Sequence, residues 1–212
     1  MIVGLDPVLV VWFGFLSLGL FYAIILLARW LKRRAALRRF AAGHHFRFRG
    51  VLPSDKYAPY TAFQRVQSSV LLYMVMEGRW NDFDVALFDY NRRRGLQYVG
   101  VIVSLPNDGT CFEIAVRALT SARGTRVPLE DSGLASWIVI SEPIPGSASA
   151  AIGPQTAALL RDGPLLSLET NLGYLFLTPL QRVPPDRVPD FLDYATSVAR
   201  ALGTDALTPS RL

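Results

Sequence analysis

The sequence predicts an α+β protein: an N-terminal transmembrane helix, then a mostly antiparallel sheet domain with a C-terminal amphipathic helix. Three observations carry this. Pro7 to Ala28 is an unbroken run of uncharged, mostly apolar residues, and a dense basic stretch follows at once. From Ser69 onward, short runs rich in Val, Ile, Leu and aromatic residues are separated by turn formers. Near the end, Val188, Phe191, Leu192, Ala195, Val198, Ala199 and Leu202 fall on one helical face.

The first element is the membrane span, residues 7–28, preceded by a short tail of residues 1–6 expected outside the cytoplasm. At about 1.5 Å per residue its length reaches roughly 33 Å, enough for a hydrocarbon core of about 30 Å. Trp12 and Trp30 are spaced to place one indole near each interface. The basic collar of Arg29, Lys32, Arg33, Arg34, Arg38 and Arg39 lies on the C-terminal side, and Asp6 on the other. The positive-inside rule then puts the N-terminus outside the cell membrane and everything from residue 29 in the cytoplasm. A cleaved signal peptide fits poorly. No basic residues precede the apolar run, and arginines stand where a small-residue cleavage site belongs. Gly19 and Ala23 make one small-xxx-small pair that could seat a partner helix.

Residues 29–64 read as a basic juxtamembrane helix and linker. Leu27 to Ala42 lacks proline and glycine, and Gly43 is a plausible stop. The alternating stretch His44 to Arg49 could begin a strand or lie on the membrane. Residues 65–203 read as the α+β domain, and 204–212 as a frayed tail. Strands are expected at Ser69–Gly78, Phe83–Tyr90, Leu96–Ser104, Cys111–Arg117 and Trp137–Ser141, the short connections favouring a meander. Pro154–Arg161 reads as a short helix with proline in its first turn. Leu165–Glu169 and Leu172–Thr178 read as a hairpin, and the final helix starts at Asp186 to Pro189 and ends at Gly203. Seven strands closed by a helix would also describe a pleckstrin-homology-like barrel, but the helix before the last hairpin departs from that order.

The net charge of +5 is unevenly placed. Residues 1–50 carry +7 and residues 51–212 carry −2. The domain therefore offers no basic face for nucleic acid, and the collar reads as a topology signal that touches anionic lipid. The single cysteine, Cys111, excludes an intramolecular disulfide.

No catalytic residue, metal site or cofactor is read from the sequence. His44 and His45 are adjacent, so their side chains point apart. Cys111 has no basic neighbour to make a thiolate. Asp82 and Asp84 fit turn and strand-end positions, and Asp89, between Phe88 and Tyr90, fits a structural hydrogen bond. Arg92, Arg93 and Arg94 form a basic hairpin tip suited to lipid headgroup or an acidic partner.

Gly78-Arg79-Trp80, Val85 to Tyr90 with the Leu96–Ser104 strand, Leu168-Glu169, Gly173 to Leu177 and the proline-led last helix together resemble a group of uncharacterised bacterial membrane-anchored proteins. Those have an N-terminal membrane helix, a basic linker and an α+β domain of unknown function. This chain departs in its shorter polar hairpin at Asn91–Gly95. The resemblance implies architecture and supplies no catalytic residues. The expected function is a membrane-tethered, non-enzymatic binding or scaffold module whose partners are membrane lipid and a protein or a second copy. Two alternatives stand beside it. One is an enzyme using Asp89, Glu113 and Glu169 gathered by the fold. The other is an accessory subunit of a membrane complex.

Overall fold

The computed structural model describes residues 7–55, 59–63, 66, 69, 71–91, 97–106, 111–116, 125–127, 138–142 and 151–205. Helix α1 runs unbroken from Pro7 to Gly43, about 55 Å at the usual rise. Its first part covers nothing: Trp12, Phe13, Phe15, Leu16, Leu18, Leu20, Phe21 and Tyr22 are each more than 60% exposed. An apolar surface left that bare on all sides suits lipid, and the helix qualifies by length and hydropathy as a membrane span. Its last turns are different. Leu37 and Ala41 are fully or almost fully buried in the domain core.

Nine strands follow in one sheet: β1 (Arg47–Pro53), β2 (Leu71–Trp80), β3 (Phe83–Asn91), β4 (Gln97–Ser104), β5 (Phe112–Val116), β6 (Thr125–Val127), β7 (Ile138–Glu142), β8 (Leu165–Asn171) and β9 (Tyr174–Pro179). Helix α2 (Pro154–Asp162) precedes β8, and α3 (Val188–Asp205) ends the described chain. The order is β1-β2-β3-β4-β9-β8-β5-β7-β6, and each pairing is antiparallel. The α+β class is therefore the one the sequence predicts.

Two expectations change. The meander holds for β1 to β4 and then stops, because β9 and not β5 pairs with β4. Short connections favour neighbours, but the last hairpin has an apolar row, Leu175 and Leu177, that matches Val101 and Val103 and displaces β5 outward. The barrel is not formed either: the sheet is open, with β1 and β6 at its two edges. The stretch expected as linker also does more than connect. It supplies β1, and Tyr60, Ala62 and Phe63 of the β1–β2 connection are buried.

The sheet has two faces, set by strand alternation. On one face Leu87, Val101, Leu177, Leu168 and Ile114 form a row running from β3 across to β5. They pack in one core with Leu37 and Ala41 of α1, Ala157 and Leu160 of α2, and the α3 stripe from Val188 to Leu202. On the other face Ala86, Ile102 and Phe176 lie under Tyr60, Phe63 and Val66. Gly100 on β4 has a specific role there. A Cβ at this position would stand 2.6 Å from the ring of Phe176 and 3.1 Å from that of Phe88. Those rings stack with centroids 6.1 Å apart, so glycine is what lets both lie on the strand. A bulge in β2 between Tyr73 and Met76 puts Met74 at φ +52°. It resets the alternation, so Leu72 faces one core and Met74, two residues on, joins the helix-covered core on the other face.

The β2–β3 turn, Asn81-Asp82, has positive φ at both residues, as a two-residue type I′ hairpin requires. It is tied to α3: Trp80 Nε1 and Asn81 Nδ2 donate to Asp193 Oδ1 at 2.7 and 2.8 Å.

Candidate functional site

The joint between α1 and the sheet holds a buried ion pair. Arg33 stands one helical turn past Arg29 and faces the domain. Asp89 lies on the helix-covered face of β3, level with Leu87. The Arg33 guanidinium forks onto it, Nε to Oδ2 at 2.9 Å and Nη2 to Oδ1 at 2.8 Å. Its Nη1 donates to the Val183 carbonyl at 2.6 Å. Arg182 donates a further bond from Nη2 to Asp89 Oδ2 at 2.6 Å. Arg33 and Asp89 are 8% and 3% exposed, whereas Arg182 is 40% exposed. Two charges so far from water are tolerated because the fork satisfies both carboxylate oxygens and the carbonyl takes the remaining amine. The clasp ties α1 to β3 and to the β9–α3 loop at once.

The structure thus places the sequence-predicted residues unequally. Arg33 leaves the expected lipid- or partner-contact set, because its guanidinium is buried against Asp89. Arg29, Lys32, Arg34, Arg38 and Arg39 are exposed, and Arg34 lies over the Trp30 ring at 5.3 Å. Trp12 is exposed on the apolar segment, while Trp30 is partly buried against the domain core. Gly19 and Ala23 lie on the exposed part of α1, and a Cβ at Gly19 would meet nothing within 4 Å. Arg92, Arg93 and Arg94 lie outside the described residues.

The three acids considered for catalysis are divided by the sheet. Asp89 points to the helix-covered face. Glu113 and Glu169 belong to the row that continues Ala86, Ile102 and Phe176 on the opposite face, and they are directly paired across β5 and β8. Burial, and after it Glu169, raise the Cys111 thiol above its ordinary value, which disfavours the thiolate. Among the described residues no group of three or more His, Cys, Asp or Glu gathers around a possible metal position.

Two clefts flank this framework. One, of about 490 Å³, opens beside the clasp between the β9–α3 loop and α3, with Leu180, Arg182, Val183, Arg187, Phe191 and Tyr194 in its wall. The other, of about 460 Å³, lies on the opposite face around Tyr60, Glu77 and Arg79. In that cleft Tyr60 donates to Glu77 Oε1 at 2.8 Å, and Glu77 also meets Arg49 at 2.7 Å. Burial and that hydrogen bond push the Tyr60 hydroxyl far above its ordinary range, so it is a fixed donor and no base.

Fold and junction together define a class: an α+β domain built onto the end of a long apolar helix. No family model matches the chain, and no curated protein matches its sequence. Among solved structures, the mycobacterial trehalose monomycolate transport factor A, TtfA, is similar in fold. The TM-score is 0.53 at 12% identity, over 85% of this chain and 97% of that one. At that identity the likeness speaks for the fold alone.

Proposed function

We propose that the chain is a single-pass protein of the cell membrane, its N-terminus outside and its domain cytoplasmic, acting as a non-enzymatic binding module within a larger membrane assembly. The observation that carries the reading is the clasp. A tether that serves only to localise a domain needs no buried ion pair with it, whereas here α1 supplies Arg33, Leu37 and Ala41 to the domain's interior. Such a joint keeps the domain in a fixed pose at the membrane surface, which is what an accessory subunit requires of its anchor. The fold shared with a transport factor agrees with an accessory role, and the cargo named for that protein is not carried over. The exposed collar residues, the run at 92–94 and the Gly19–Ala23 step are the proposed contacts with lipid and a neighbouring helix. Asp89 lies on the face opposite Glu113 and Glu169, so the three acids do not share one site.

Two measurements test this. A C-terminal reporter that works only outside the cytoplasm should stay silent; activity would overturn the orientation. Cross-linking of the tagged full-length chain in its own membrane should return a reproducible membrane-protein partner. Recovery of the tagged chain alone would overturn the accessory role.

A further inference from the structure

The clasp also fixes how high the domain sits above the bilayer. Arg33 follows Ala28, the last residue of the apolar run, by five positions, about 7.5 Å along the helix. The headgroup layer is about 5–8 Å deep on each side of the hydrocarbon core. Asp89, Val183 and Arg182, bonded to or around Arg33, therefore stand at headgroup level.

The direction of the elements can be read in the same way. Phe40 and His44, at the far end of α1, touch Trp80, with ring centroids 6.0 and 5.3 Å apart. Trp80 pairs with Phe83 at the start of β3, and Asp89 lies near its end. So β3 runs toward the bilayer, and β9, antiparallel to β4, which is itself antiparallel to β3, runs the same way. Helix α3 leaves in the opposite sense, since Asp193 holds Trp80. The loop joining β9 to α3 is thus a turn on the membrane-facing end of the domain.

On that turn, among exposed polar residues, one large apolar side chain is left open. Leu180 is 62% exposed, and its N–H is fixed to the Pro164 carbonyl at 2.7 Å. Leu31 on α1 and Leu71 at the start of β2 are exposed large hydrophobics toward this same end. Leu172, on the β8–β9 turn, is the exposed one at the opposite end. Arg182 and Arg187 flank Leu180 in the wall of the 490 Å³ cleft. Arg187 gives Nη1 to Asp190 at 2.9 Å and is otherwise 70% open to solvent.

We infer that this end of the domain is a second membrane contact: Leu180 enters the interfacial layer, and the cleft beside it receives an anionic phospholipid headgroup whose phosphate meets Arg187 and the open side of Arg182. The inference rests on α1 being the membrane anchor. Apolar side chains are stabilised on leaving water for the interface, and each cation near an anionic leaflet adds to the attraction. Asp190 and Asp186 lie beside Arg187 and oppose part of that attraction, so the leucine and the fixed height are integral to the contact.

The test uses the full-length chain with Cys111→Ser, reconstituted in liposomes containing phosphatidylglycerol. A nitroxide is attached at Ser17→Cys, Leu180→Cys or Leu172→Cys, and its collision with an aqueous paramagnetic reagent is measured. The expected result is strong protection at 17, several-fold lower collision at 180 than at 172, and full exposure at 172. Adding Arg187→Gln, or using phosphatidylcholine alone, should raise the collision rate at 180 and leave 17 unchanged. Protection at 17 with equal exposure at 180 and 172 would overturn the inference and leave the anchor standing. Exposure at 17 would overturn the anchor itself. A label at 180 indifferent to both lipid charge and Arg187→Gln would overturn the phosphate contact.

Discussion

The residue that organises this molecule is Asp89. It sits on a strand flanked by valine, leucine and phenylalanine, where an unpartnered carboxylate would be costly. Its cost is offset by Arg33, fifty-six positions earlier, and Arg182, ninety-three later. Removing one member of a buried pair is worse than removing both, because the survivor stays buried without compensation. Asp89→Ala is therefore expected to destabilise the folded chain in detergent by about 3–5 kcal/mol. The double variant Arg33→Met, Asp89→Leu should recover most of that loss. Denaturant melts of both variants decide it. A double variant as unstable as Asp89→Ala would show that the unpaired charge is not the cause. The sequence already marked Asp89 as structural, from its place between two aromatics. It did not mark Arg33, which is indistinguishable from Lys32 and Arg34 until the helix is wound and one of the three faces inward. Nor could it reveal that Glu113 and Glu169 are cross-strand partners, since that depends on β8 returning beside β5.

At the level of elements, periodicity was legible wherever an element buries one clean face. The α3 stripe and the alternation of β5 are legible for that reason, whereas β3 and β4, buried on both faces, show as short continuous apolar runs. The β2 run was harder to interpret, because the bulge at Met74 breaks the period-2 rule. The short β6, Thr125–Val127, carries almost no pattern to read. Pairing order was the least accessible, since it depends on which apolar row fits which. Gly100 shows how a single position can carry that information: it is the gap through which Phe88 on β3 and Phe176 on β9 come into stacking contact across β4. Gly100→Ala is expected to cost about 1–3 kcal/mol, in the range of core overpacking. The pairing of β4 with β9 should loosen, which hydrogen exchange of the Val101–Val103 amides would show as faster exchange than at β2–β3. An unchanged melting temperature and exchange pattern would mean the rings have room that the packing denies them.

For the whole molecule, the boundary between anchor and domain does not fall where composition changes. Charge and hydropathy divide the chain near Ala28 and suggest a tether, a linker and a domain. Packing divides it differently, because α1 is a bare apolar helix, long enough to cross a membrane, in its first half and a core element in its last turns. A chain beginning at Arg29 keeps Arg33, Leu37 and Ala41, and is expected to be soluble and to unfold cooperatively. A chain beginning at His44 loses Arg33, the buried partner of Asp89, keeps only the half-exposed Arg182 beside it, and leaves a trough in the core. The fork lost from the buried carboxylate costs up to about 3–5 kcal/mol, and the loss of Leu37 another 2–5 kcal/mol. Together these approach the whole stability of a domain, about 5–15 kcal/mol. The shorter chain should therefore show no cooperative melt and little near-ultraviolet circular dichroism, and the longer one should show both. If the chain from His44 folded as stably as the chain from Arg29, the helix would be a mere tether. The fixed pose at the membrane, on which the proposed role and the leaflet contact both depend, would then be lost.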